Sequence, residues 1–170
     1  SGGGVDVGGE SSIFTMHGGT ISGNTAENGG GVYLNGGTFT MHGGSISGNT
    51  AENGGGVYLN GGTFNMNGGE ISGNHSTNNG GEISGNEAQS GGGVYVNSNG
   101  TFTVNGGVIS DNTGSGYDSS GAPYVKPSNV YIEGNKQFTV GTSLHANTLI
   151  YVDYPKDTVF TNAGVNAAAV

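Results

Sequence analysis

Residues Gly29 to Asn53 read GGGVYLNGGTFTMHGGSISGNTAEN, and Gly54 to Asn78 read GGGVYLNGGTFNMNGGEISGNHSTN, the same text 25 residues on. A chain that returns to the same residues at a fixed interval must place equivalent side chains at equivalent points of successive units, so it is restricted to a repeat architecture. An earlier copy starts at Gly2 (GGGVDVGGE, then FTMHGGTISGNTAEN) and a later one at Gly91 (GGGVYVNSNGTFTVNGGVISDN). A degraded fifth copy runs from Asn129 to Gly141 (NVYIEGNKQFTVG). Each period holds three short apolar, β-branched or aromatic runs, such as Val32-Tyr33-Leu34, Thr38-Phe39-Thr40-Met41 and Ser45-Ile46-Ser47. Gly-Gly or Asn-Gly pairs separate the runs and favour tight turns, because both residues tolerate positive φ. No segment carries the apolar period of a helix. The pattern predicts an all-β chain folded as a right-handed parallel β-helix (a solenoid), with three short strands per coil of about 25 residues. The hand is the one expected of crossovers between parallel strands. Each strand then pairs with its counterpart one coil later, about 4.8 Å along the axis.

Composition narrows the classes further. Of 170 residues 39 are Gly and 21 Asn, with no Cys, Trp or Arg. The glycine follows no Gly-X-Y period, which excludes collagen, and that much glycine would weaken any helix. Only 9% of the residues are charged, which does not fit charge-driven disorder. A net charge of −9 with three lysines argues against nucleic acid as a partner. No run is apolar for long enough to span a membrane, and no secretory leader is read in these residues, so direct membrane insertion is not expected.

Alternation along each strand sorts side chains into ladders. Val32, Leu34, Phe39, Met41 and Ile46 are expected inside, with Val57, Leu59, Phe64, Met66 and Ile71 stacked on them. Phe14, Met16, Ile21, Val94, Val96, Phe102, Val104 and Ile109 continue these stacks. Tyr33, Tyr58 and Tyr95 face outward on one wall, Thr15, Thr38, Thr40, Thr63, Thr101 and Thr103 on a second, and Ser22, Ser47, Ser72, Ser84 and Ser110 on a third. The ISGN corner puts Asn24, Asn49, Asn74, Asn86 and Asn112 at one position. Stacked asparagines can exchange amide hydrogen bonds and satisfy turn backbone that would otherwise be buried unpaired, so this ladder is read as structural.

One coil breaks the rhythm. GGEISGN occurs at Gly68 to Asn74 and again at Gly80 to Asn86, 12 residues on, and the next GGGVY begins 37 residues after Gly54. Twelve residues cannot circle a cross-section that needs 25, so the chain is expected to leave the wall between Asn74 and Asn86 as a loop or to form part of a coil. The expected organisation is coils over 1–113 with an irregular coil near 74–90, a loop over 114–128, and a degenerate last coil with a C-terminal cap over 129–170. All three prolines and all three lysines lie after residue 120, as suits an atypical segment that closes an open sheet edge. No comparable cap precedes Gly2, so further N-terminal coils and end-to-end self-association through them are expected.

The run TISGNTAENGGGVYLNGGTFTMHGGSISGNTAENGGGVYL resembles the β-helix repeat regions of large bacterial surface proteins, which carry arrays of GTFTMxGGxISGNTAxxGGGVY. It is also similar to the GGA(I/L/V) and FxxN repeats of chlamydial polymorphic outer-membrane proteins and, in fold, to the pectin-lyase-like proteins. Here GGGV stands at Gly2, Gly29, Gly54 and Gly91, with ISGN in place of FxxN. The resemblance covers about 1–153 and implies an adhesin-like or stalk-like part of a secreted or surface-anchored bacterial protein, but carries over no functional residue.

Catalytic chemistry finds little to work with. A lyase of this fold class wants an Arg or Lys base near acidic calcium ligands, and the lysines all lie near the C-terminus. A hydrolase needs paired carboxylates. Glu70 and Glu82 occupy equivalent positions before ISGN and are read as a solvated pair. His17 and His42 share one repeat position and should stack about 5 Å apart, but Asn67 and Asn105 follow them and no third ligand completes a metal set. His75 and His145 fall in irregular segments. Only Gly3 to Val7 approximates a calcium β-roll motif, leaving Asp6 and Glu10 as a weak incidental site. The Thr-Phe-Thr strands suggest an ice-binding array, but Ile13 and Asn65 interrupt it.

No catalytic residue, metal site or cofactor is therefore expected. The expected function is a non-enzymatic, rigid spacer or adhesin-like segment displayed at a bacterial surface or secreted, with host or environmental glycans or matrix proteins as candidate partners. The alternative is a carbohydrate-binding module using Tyr33, Tyr58 and Tyr95 as an aromatic strip; a polysaccharide-degrading enzyme and an ice-binding protein rank below it.

Overall fold

Each period contributes four strands, not the three expected. A computed structural model describes residues 2–77, 91–97, 99–117, 120, 122–132, 139–140 and 149–150. The first coil consists of β1 (Val5–Gly8), β2 (Ile13–Met16), β3 (Thr20–Ser22) and β4 (Thr25–Asn28). The second consists of β5 (Val32–Asn35), β6 (Thr38–Met41), β7 (Ser45–Ser47) and β8 (Thr50–Asn53). The third consists of β9 (Val57–Leu59), β10 (Gly62–Met66), β11 (Glu70–Ser72) and β12 (His75–Ser76), and the fourth of β13 (Val94–Val96), β14 (Gly100–Val104), β15 (Val108–Ser110) and β16 (Thr113–Tyr117). They are followed by β17 (Pro123–Pro127), β18 (Val130–Ile132), β19 (Thr139–Val140) and β20 (Leu149–Ile150).

Equivalent strands of successive coils pair side by side in four sheets, ordered β1-β5-β9-β13-β18, β2-β6-β10-β14-β19, β3-β7-β11-β15-β20 and β4-β8-β12-β16-β17. Register is locked like on like: Val32 pairs with Val57, Phe39 with Phe64 and Ile46 with Ile71. A one-residue slip would turn every interior side chain out to solvent, so a buried face enforces this alignment. The fourth strand, TAEN, lacks any large apolar residue and so gives no sign of itself in the sequence. It forms because its neighbours hold it in register through Thr25↔Thr50 and Ala26↔Ala51, and Ala51 is buried.

The interior is a column of stacked identical or similar residues. Val32, Leu34, Phe39, Met41, Ile46, Val57, Leu59, Phe64, Met66, Ile71, Val94 and Val104 are all wholly buried, as their inward assignment requires. Burying each such side chain contributes about 1.5–3 kcal/mol relative to leaving it exposed. The Phe39 and Phe64 rings stack at 4.7 Å and Phe64 and Phe102 at 4.9 Å. The third glycine of GGGV is needed where backbone crosses close to the interior. A Cβ on Gly56 would lie 2.6 Å from the Gly93 carbonyl oxygen and 3.0 Å from Asn74 Nδ2.

The coil expected to be irregular from Asn74 stays in the wall as far as Thr77. Asn74, His75, Ser76 and Thr77 all stay in the wall: His75 pairs with Thr50 and Thr113, Ser76 with Ala51 and Gly114, and the Thr77 amide donates to the Ala51 carbonyl at 2.7 Å. Their β-sheet partners on both sides hold them, so His75 belongs to a strand rather than to an irregular segment. The step from Val57 to Val94 is 37 residues against 25 from Val32 to Val57, so the 12 extra residues lie between Thr77 and Gly91, outside the described residues.

The expected loop over 114–128 is instead a hairpin. β16 and β17 pair antiparallel, with Thr113 opposite Pro127, Ser115 opposite Val125 and Tyr117 opposite Pro123. β17 thus lies along the edge of the fourth sheet, where a parallel strand would otherwise continue the stack. Its two prolines carry no N–H to offer a further strand, the usual chemistry of a protected edge. Pro at both ends suggests a loop in the sequence because proline is excluded from interior strands, but not from an edge. Beyond it β18, β19 and β20 each add a fifth strand to the other three sheets.

Candidate functional site

The positions that repeat most strictly outside the apolar core form side-chain ladders, and the deepest stands at the ISGN corner between the third and fourth walls. Gly23, Gly48 and Gly73 there adopt positive φ, which turns the following asparagine inward. Asn49, Asn74 and Asn112 are wholly buried. The backbone N–H and Nδ2 of Asn24 both donate to Asn49 Oδ1, at 3.0 and 2.9 Å. Those of Asn49 donate to Asn74 Oδ1 at 3.0 and 3.0 Å, and those of Asn74 to Asn112 Oδ1 at 3.0 and 2.9 Å. Nδ2 also reaches back to the preceding coil: Asn49 to the Ile21 carbonyl, Asn74 to that of Ile46 and Asn112 to that of Ile71, each at 2.9 Å. A buried amide left unpaired would be costly, and here the network satisfies it.

Two expectations about this ladder change. Asn86 lies outside the described residues, and Asn74 bonds directly to Asn112 with no rung between them. A further rung comes from Asn129, whose Oδ1 accepts the Asn112 N–H at 3.1 Å and Nδ2 at 3.0 Å. Asn129 precedes β18 in the place of the third glycine of GGGV, since Val94 pairs with Val130. The signal for it was in the sequence: SNVYI aligned on GGVYV puts Asn129 over Gly93.

Every other corner carries a polar stack as well. Asn53 Nδ2 donates to Asn28 Oδ1 at 2.9 Å, Asn60 to Asn35 at 3.0 Å and Asn97 to Asn60 at 3.1 Å. At the remaining corner the His17 and His42 rings stack at 5.1 Å, as their spacing predicts, and Asn105 Nδ2 donates to Asn67 Oδ1 at 2.7 Å. His75 Nδ1 lies 2.8 Å from Thr113 Oγ1 across the fourth sheet. Glu70 accepts from Ser72 Oγ at 2.5 Å, while Glu82 and His145 lie outside the described residues. Asp6 sits opposite Tyr33 in register, and Glu10 is exposed. Among the described residues no group of three or more His, Cys, Asp or Glu is placed to hold a metal ion.

Tyr33, Tyr58 and Tyr95 do form a ladder, and Tyr131 extends it. Successive rings stand 5.6, 4.9 and 5.1 Å apart with planes inclined by 8°, 17° and 28°. Stacking turns the ring faces of Tyr58 and Tyr95 toward their neighbours in the ladder. Tyr95, expected outside, is buried. Burial first, then the neighbouring Tyr58 and Asp6, pushes the Tyr33 hydroxyl above its ordinary pKa.

No protein-family model, curated protein or solved structure matches this chain. The repeated polar and aromatic side chains therefore speak through their geometry, in which each meets its counterpart in the next coil. The arrangement joins coils to one another.

Proposed function

We propose that this chain is a rigid, non-enzymatic spacer within a secreted or surface-displayed bacterial protein, adhesin-like in organisation, its coils winding right-handed. The observation that carries the reading is the hydrogen-bonded column from Asn24 to Asn129, running beside the in-register sheets through every coil. A rod is stiff when neighbouring coils cannot tilt or slide without breaking bonds, and a buried ladder bonded twice at each step resists both. The outer corners add asparagine and histidine stacks in the same sense. The hand follows from the chirality of parallel crossovers.

The test is binding of the purified chain to an array of glycans and matrix proteins, beside a variant with Tyr33, Tyr58 and Tyr95 changed to Ser. A folded chain silent on the array is the expected result. Saturable binding lost in the variant would make the tyrosine wall a recognition surface and overturn the spacer reading.

A further inference from the structure

Asn35 and Asn60 stand one coil apart at the corner between the first and second walls, and glycine follows each of them. An Asn–Gly pair is open to a reaction of its own backbone, because no side chain on the glycine hinders its nitrogen from closing on the asparagine Cγ. The reaction needs a glycine N–H that is not tied up, a polarised side-chain carbonyl and an amide free to leave. Asn35 has all three. The Gly36 N–H donates to none of the described residues. Asn35 Oδ1 accepts from Asn60 Nδ2 at 3.0 Å, which draws electrons from Cγ. Asn35 Nδ2 donates to none of the described residues, since the preceding coil has Gly8 in register with Asn35, and Asn35 is exposed.

The other Asn–Gly pairs each lack one of these features. Asn28 Oδ1 also accepts from an asparagine, Asn53 at 2.9 Å, but the Gly29 N–H donates to the Asn53 carbonyl at 3.0 Å. The Gly106 N–H, after Asn105, donates to the Met66 carbonyl at 3.2 Å. At Asn60 the leaving amide is itself held on Asn35 Oδ1. Asn67 accepts from Asn105 Nδ2 at 2.7 Å but is partly buried.

We propose that Asn35 is a site of spontaneous modification, at which the Gly36 nitrogen closes on Asn35 Cγ and water, the only co-reactant, completes conversion to aspartate or isoaspartate. The Gly36 N–H gives its proton to solvent, its nitrogen forms the N–Cγ bond, and the carbonyl electron pair moves onto Oδ1. The Asn60 amide already stands as a hydrogen-bond donor where that oxyanion develops. Collapse breaks the Cγ–Nδ2 bond, and the departing amide takes a proton from solvent and leaves as ammonia. Water then opens the cyclic imide at either carbonyl, so that amide and water together yield acid and ammonia. Aspartate keeps an acceptor for Asn60 Nδ2, strengthened by its charge, and the contact between coils outlasts the change. Isoaspartate instead routes the main chain through Cβ at the end of β5.

The experiment incubates the full folded chain in mildly alkaline buffer, beside a sample in concentrated urea, and follows conversion at each asparagine by peptide mass mapping. In the folded chain Asn35 should convert about tenfold faster than Asn28, the factor expected where one backbone hydrogen bond must open first. In urea the two should convert at similar rates, both being Asn–Gly. Asn60→Ala should slow conversion at Asn35 and leave that at Asn28 unchanged, the Asn28 rate reporting that the variant is folded. Equal rates at Asn35 and Asn28 in the folded chain, or a difference that persists in urea, overturns the proposal. Conversion of Asn35 at the wild-type rate in Asn60→Ala, with Asn28 still protected, overturns the part assigned to the Asn60 amide.

Discussion

Asn112 donates its Nδ2 to Asn129 Oδ1 at 3.0 Å, and Asn129 stands in register where the preceding coil has Gly93. A Cβ on Gly93 would lie 2.8 Å from Asn112 Nδ2, so a side chain there is incompatible with a corner asparagine in its own coil. One coil later a side chain at the same place supplies the rung itself. A glycine-to-asparagine exchange thus hands the ladder from one corner to another.

Replacing Asn129 with Gly should therefore destabilise the chain, because the buried backbone N–H of Asn112 loses its acceptor. The expected cost is about 1–3 kcal/mol, the penalty of leaving a buried donor unsatisfied. Urea denaturation measures it; an unchanged midpoint with unchanged slope would show that Asn129 is not a working rung.

Asp111 occupies the positive-φ corner position that is Gly in the other described coils, with φ 57°. Left-handed backbone costs an L-residue about 1–2 kcal/mol, less for Asp, and Gly gives back part of that through its larger unfolded-state entropy. Asp111→Gly should thus raise stability by roughly 0.5 kcal/mol. A lower melting temperature would mean that the Asp111–Ser110 hydrogen bond matters more than the backbone.

Ser76 lies buried in register with Ala51 and Gly114, and its Oγ has no hydrogen-bond partner among the described residues. Ser76→Ala removes that hydroxyl and restores the residue found one coil earlier. Stability should rise by about 1 kcal/mol. A fall would reveal a partner for Oγ.

Glycines of the two corners should respond oppositely to a side chain. Gly56→Ala forces a Cβ to within 2.6 Å of the Gly93 carbonyl oxygen and should cost at least about 1–3 kcal/mol. Gly48, at φ 63°, has open space where its Cβ would be, and Asn tolerates that conformation. Gly48→Asn should change stability by less than about 1 kcal/mol. Comparable losses in thermal melts of both variants would contradict the packing described.

The raised pKa of Tyr33 gives a pH signature. A tyrosine whose folded pKa exceeds its unfolded value holds its proton more tightly when folded. The stability this provides is fully present below the unfolded pKa of about 10 and is lost as pH rises through the folded pKa. Difference ultraviolet titration of the wild type against Tyr33→Phe should place the Tyr33 transition above that of free tyrosine. A transition at or below it would show that the hydroxyl is not shielded.

The sequence alone determined the repeat, the all-β class, the interior stacks and most rungs of the asparagine ladder. Identical residues at a fixed interval leave few ways to pack, and the alternation of Phe39, Met41 and Ile46 with polar neighbours sorts inside from outside. Tertiary structure decided what depends on neighbouring coils. TAEN becomes a strand because β8 offers β4 a template, although its own residues have little preference for one. β16 and β17 form a hairpin because the edge of β16 needed a partner. Whether the tyrosines show faces or edges follows from the spacing between coils, which brings each ring against the next. Local pattern encodes which residues are equivalent, while pairing across about 4.8 Å decides what those equivalents do to one another.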